Sequence, residues 1–163
     1  MKLFQGFYQK RILKFFFILL ILPSCESKQT YQAGTEPISH EFWNQVLGKY
    51  VNVSGLVNYQ GLKEDPEILL NYLALLRSNR PNEVRWNRKE RLAYWINLYN
   101  AFTLKLIIDH YPLESIKDIG SMIQIPFINS PWDIETIDFG DEKISLNYVE
   151  HQILRKFFNE PRI

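Results

Sequence analysis

Apolar positions between residues 38 and 158 fall into blocks with helical spacing, each closed by a turn signal. Phe42, Trp43, Val46 and Leu47 predict a first helix from His40 to about Leu47, with Ser39 as its cap and Gly48 ending it. Ile68, Leu69, Tyr72, Leu73, Leu75 and Leu76 form a broad stripe behind Pro66, which suits the first turn of a second helix. The polar run Arg77-Ser78-Asn79-Arg80-Pro81 closes it. A third helix is predicted from about Arg88 to His110. After its charged first turn it is apolar nearly all round, through Leu92, Trp95, Ile96, Leu98, Phe102, Leu104, Leu106, Ile107 and Ile108, which predicts burial. Tyr111-Pro112 stops it, and Leu113 to Ile119 add one short turn before Gly120.

Elsewhere the period changes from helical to alternating. Tyr50-Val51-Asn52-Val53 and Val57-Asn58-Tyr59 read as short extended pieces around Gly55. Ile134 to Phe139, Gly140-Asp141 and Lys143-Ile144-Ser145 read as a hairpin. A final helix follows from about Leu146 to Phe158, with Ser145 as its cap. The predicted class is α+β: a helix-dominated single domain with a buried central helix and short β-hairpins.

The N-terminus follows a different logic. Lys2, Lys10, Arg11 and Lys14 precede the apolar run Phe15 to Leu22, with no acidic residue before Glu26. Eight apolar residues span only about 12 Å as a helix, short of the roughly 30 Å of a hydrocarbon core. Residues 1–24 therefore read as an export signal. Leu22-Pro23-Ser24-Cys25 resembles the lipobox of bacterial lipoproteins, which implies diacylglycerol on the Cys25 thiol, acyl chains such as palmitate, and a mature chain beginning there. Two or more acyl chains anchor stably where one is marginal. Residues 25–37, polar and broken by Gly34 and Pro37, read as a lipidated tether, and 38–163 as the domain. The implied location is the bacterial cell envelope, facing the periplasm or the cell surface.

Processing changes the charge, because the signal removes four basic residues and takes Lys+Arg from 19 to 15 against 18 Asp+Glu. A mildly acidic body with interspersed charges argues against nucleic acid as a partner, so membrane association is expected through lipid on Cys25. With the sole cysteine acylated, no disulfide, thiolate metal ligand or cysteine nucleophile is expected in the mature chain.

Two constellations could carry chemistry. Asn97 and Asn100 lie one turn apart in the third helix, flanked by Tyr94 and Thr103 at the same step. An unpaired buried amide costs on the order of 1–3 kcal/mol, so both need partners. Either they clamp a loop such as Ile123 to Asp133, which is the plainer reading, or they meet a ligand in a pocket. On the last helix Asn147, His151 and Arg155 follow at four-residue intervals and so share a face. An imidazole there is a candidate general base or substrate clamp, whereas Glu150 is expected to point about 100° away. His40 and His110 carry less weight. Asp133 and Glu135 read as paired acids on one strand face. No His-x-x-x-His pair, Gly-rich phosphate loop or Gly-x-Ser-x-Gly elbow occurs, so neither a metal nor a cofactor is indicated.

The run Ala93-Tyr94-Trp95-Ile96-Asn97-Leu98-Tyr99-Asn100-Ala101-Phe102-Thr103 recurs in a known family. So do Tyr111-Pro112-Leu113-Glu114-Ser115-Ile116, Pro131-Trp132 and the stretch Ile144 to Arg155. Together these resemble the DUF547 family, a domain of unknown function in bacterial lipoproteins and larger eukaryotic proteins, over roughly residues 40 to 163. Similar members continue past the segment matching Pro161-Arg162-Ile163 into a cysteine-containing stretch, so the resemblance implies a C-terminally truncated domain here. The resulting expectation is an uncharacterised, lipid-anchored envelope protein acting as a binding or scaffold domain. Trp95, Trp132, Asn97, Asn100, Asn147 and Arg155 would shape a groove for a peptide or glycan. The alternative is a thiol-dependent hydrolase in the full-length family, with His151 as base and the nucleophile missing from this chain.

Overall fold

The structure is a computed structural model that describes residues 36–119 and 130–158. The predicted signal and lipobox, Cys25 included, and residues 25–35 of the predicted tether lie outside the described residues, as does most of the loop assigned to the two amides. Helix α1 (Glu41–Tyr50) buries Trp43 and Val46 of the predicted set together with Tyr50, while Phe42 and Leu47 at the edge of that face are exposed. It neither takes its cap from Ser39 nor stops at Gly48. His40 occupies the cap position without a side-chain capping bond, and Ser39 Oγ instead accepts the Glu41 amide at 3.2 Å. Tyr50 carries the helix two residues past Gly48 because its ring is buried and its hydroxyl donates to the Asp65 carbonyl at 2.7 Å.

An antiparallel bridge between Val51 and Val57, with Gly55 at φ +79°, forms the expected extended turn. The extended reading fails one step later, where α2 (Tyr59–Glu64) begins. Asn58 initiates it by accepting the Gly61 amide at 3.0 Å. Glycine suits that position, since a Cβ there would come within 2.7 Å of Asn58 Nδ2. Helix α3 (Glu67–Ser78) follows Pro66 and buries Leu69, Tyr72, Leu73 and Leu76.

Helix α4 (Arg88–His110) opens with a capping box, in which the Asn87 side chain accepts the Lys89 and Glu90 amides while Glu90 accepts the Asn87 amide. It is central, packed by α2, by α3 and by the C-terminal helical segments. It is less uniformly buried than its composition predicts: Tyr94, Trp95, Leu98, Ala101, Phe102, Leu104, Leu106 and Ile108 are buried, Ile96 and Asn97 half-buried, and Asn100 and Asp109 exposed.

A 3₁₀ turn (Pro131–Asp133) precedes the hairpin of β1 (Ile137–Asp138) and β2 (Lys143–Ile144), whose antiparallel register pairs Ile137 with Ile144. Gly140, at φ +92°, makes the turn and gives its amide to Asp138 Oδ1 at 2.7 Å. The strands are shorter than the alternation predicts. Asp133 therefore belongs to the 3₁₀ turn and Glu135 to the exposed link after it, so the two acids do not share a strand face.

Ser145 caps the C-terminal helix as predicted, its hydroxyl accepting the Tyr148 amide at 3.1 Å. That helix is not uniform. Two α turns, α5 (Leu146–Tyr148) and α6 (Arg155–Phe157), flank a π-helical segment (Val149–Leu154) in which the Arg155 amide bonds the Glu150 carbonyl. The fold is a helix-dominated α+β domain with one small two-stranded hairpin. Its core holds a run of edge-on aromatic contacts from Trp86 through Tyr94 and Trp95 to Phe139, at centroid separations of 5.7, 5.0 and 6.3 Å.

Candidate binding site

The π segment determines the site. In an α-helix residues four apart stack, which would place Asn147, His151 and Arg155 in one row. Winding with i to i+5 bonds instead stacks residues five apart, and Glu150 comes beneath Arg155. Glu150 Oε1 pairs with Arg155 Nη2 at 2.6 Å, and its Oε2 accepts the Tyr99 hydroxyl from α4 at 3.5 Å. His151, exposed, brings Nε2 to 3.9 Å from the same Glu150 Oε1. The predicted Asn147-His151-Arg155 row is therefore broken, and Glu150, predicted to point away, is the centre of the group.

The Trp132 indole, on the 3₁₀ turn, lies against the same Tyr99 hydroxyl. Burial first, and then the neighbouring Glu150 carboxylate, raise the Tyr99 hydroxyl above its ordinary pKa, which keeps it a neutral donor. Trp132 is half-buried, so part of its ring faces solvent. Asp133, beside it, fixes the turn: Oδ1 accepts Asn147 Nδ2 at 2.9 Å and Oδ2 accepts the Ser130 hydroxyl at 2.8 Å. The Asn147 carboxamide thus holds the 3₁₀ turn, while residues 123–129, on which the predicted clamp by the α4 amides falls, lie outside the described residues.

The α4 amides separate. Asn97 lies against the hydroxyl of Tyr72, which also meets His40 Nδ1 at 2.6 Å, so Asn97 sits where α4 meets α3 and the start of α1. Asn100 is exposed. Trp95 is buried between Tyr94 and Phe139, on the wall of a different groove. His110 caps its own helix, Nδ1 lying 2.9 Å from the Leu106 carbonyl.

Of the predicted site residues, Trp132, Asn147, His151 and Arg155 thus gather around one surface, whereas Asn97, Asn100 and Trp95 do not join them. Tyr99 and Glu150 are the additions. The π winding is what pairs Glu150 with Arg155. Among the described residues no group of three or more His, Cys, Asp or Glu side chains could hold a metal ion, and no helix is long and apolar enough to cross a membrane.

The architecture and the cluster together define a small helix-dominated domain presenting a fixed carboxylate, a guanidinium and a half-exposed indole. Residues 84–162 match the model of the DUF547 family, described as a protein of unknown function. The match is narrower than the resemblance over 40–163; it takes in α4, the hairpin and the whole cluster, but not α1 to α3. No curated protein and no solved structure matches the chain.

Proposed function

We propose that this domain is a binding module of a lipid-anchored cell-envelope protein, and that a peptide or glycan lies across Trp132, Tyr99, Glu150 and Arg155. One observation carries the reading: an aromatic ring that is half open to solvent lies against Tyr99, whose hydroxyl meets a carboxylate already paired with Arg155. Such an arrangement offers a flat apolar surface beside polar groups of fixed orientation, the combination by which sites secure affinity and direction together. The Glu150 charge is compensated, so a neutral hydrogen-bonding ligand costs little electrostatically. Anchoring through Cys25 would hold the module at a membrane surface, with the tether setting its reach.

The test is binding of the full chain to arrays of synthetic peptides and oligosaccharides. Trp132→Ala is expected to weaken capture about tenfold, by the loss of an interface aromatic, while His151→Ala changes it less than about twofold. The reverse pattern removes the proposal. A second reading, thiol-dependent hydrolysis with His151 as base, draws on the approach of His151 to Glu150. It requires a thiolate beside His151, and no cysteine occurs among the described residues.

A further inference from the structure

A second recess lies between the start of α4 and the C-terminal helical segments, with a volume of about 380 Å³. Arg80, Glu83, Arg91, Trp95, Tyr148 and Phe157 line it, and Gln152 enters from the π segment. Its two guanidinium groups are in different states. Arg80 is committed: Nη1 pairs with Glu142 Oε2 at 2.7 Å, and its plane lies over the rings of Phe139 at 5.0 Å and Trp95 at 6.0 Å. Arg91 is not. Its Nε is shielded from solvent and has no hydrogen-bond partner, and no carboxylate among the described residues pairs with it. Glu83 on the rim is exposed and solvated and forms no ion pair with Arg91.

A guanidinium with a shielded, unbonded donor is an unmet demand for an acceptor, and the acceptor that matches its fork is a planar two-oxygen anion. Beside it stand aromatic walls that the fold leaves open: Phe157 is 65% exposed and Tyr148 41% exposed, with the Trp95 ring behind them. We propose that this recess is a binding site for a small carboxylate carrying an aromatic or similarly apolar body. The carboxylate would receive the Arg91 Nε–H and a second guanidinium N–H, and the body would lie against Phe157 and Tyr148. The ligand enters as the anion and leaves unchanged, so no proton or bond is exchanged. This site is separate from the Trp132 surface and does not depend on its function.

The experiment is a nuclear magnetic resonance titration of the isotopically labelled full chain, reading the arginine Nε–Hε signals, with 3-phenylpropionate as probe and 3-phenylpropanamide as its neutral counterpart. The acid is expected to shift the Arg91 signal saturably and to bind about tenfold more tightly than the amide, the difference a charge-assisted bond makes. Arg91→Lys should lose about tenfold, since an ammonium cannot supply two parallel bonds. Phe157→Ala, a change at an exposed position, should also weaken the acid, while Trp132→Ala leaves it alone. Equal binding of acid and amide, an unmoved Arg91 signal while the acid binds, or no saturable shift up to about 10 mM acid overturns the proposal.

Discussion

Replacing Tyr72 with Phe removes one oxygen from the interior and leaves every ring contact in place. Tyr72 is fully buried and stacks on Trp43 at 5.7 Å, and its hydroxyl meets His40 Nδ1 at 2.6 Å with the Asn97 side chain against it. The variant keeps the stack but leaves the amide on α4 and the imidazole nitrogen ahead of α1 without that oxygen. A stranded buried polar group costs about 1–3 kcal/mol; both are half-buried, so the lower end applies to each and the sum is about 2 kcal/mol. For a domain of this size that corresponds to roughly 8 °C in Tm. Urea unfolding should show a lowered midpoint with an unchanged slope, because the surface exposed on unfolding is the same. The double variant Tyr72→Phe with Asn97→Leu should recover about 1 kcal/mol relative to additivity, since removing both partners spares the orphan. A Tyr72→Phe protein within about 0.5 kcal/mol of the parent would refute the reasoning. The result also bears on domain limits, for His40 and Tyr72 precede the matched stretch 84–162 whereas Asn97 lies within it. A large penalty means that α1 and α3 are integral to the folded unit.

Two further outcomes follow from the same structure. Burial lowers the His40 pKa below its ordinary value of 6.5, so the unfolded chain takes up a proton there before the folded one does. Its stability contribution is complete above about pH 6.5 and is lost as the pH falls through the lower folded value; urea midpoints between about pH 7 and pH 5 should decline, and His40→Gln should flatten that decline. Asn147→Ala removes the donor to Asp133 and frees the 3₁₀ turn from the C-terminal helix. Asp133 remains partly solvated and keeps Ser130, so the expected cost is about 1 kcal/mol in urea unfolding, together with a red-shifted Trp132 fluorescence component; unchanged unfolding and emission would show that the turn is held by other contacts.

Sequence alone determined the local elements whose signals are themselves local. The apolar stripe of α3, the span of α4, the Ser145 cap and the Gly140 turn are consequences of residues within one or two turns of each other, and they lie where the pattern places them. Sequence also singled out Trp132, Asn147, His151 and Arg155, because uncommon polar and aromatic side chains stood out on a helix face and beside a proline. Tertiary structure decided which of these meet. The short helix α2 has too few residues to show a period and is set by the Asn58 cap. Asn97 and Asn100 look equivalent in sequence, yet the packing of α3 turns one toward Tyr72 and leaves the other in water. The π winding of Val149–Leu154 moves Arg155 from the row of His151 to that of Glu150, and no residue spacing announces it. A periodicity argument assumes a single helical repeat, and this site is built where the repeat changes.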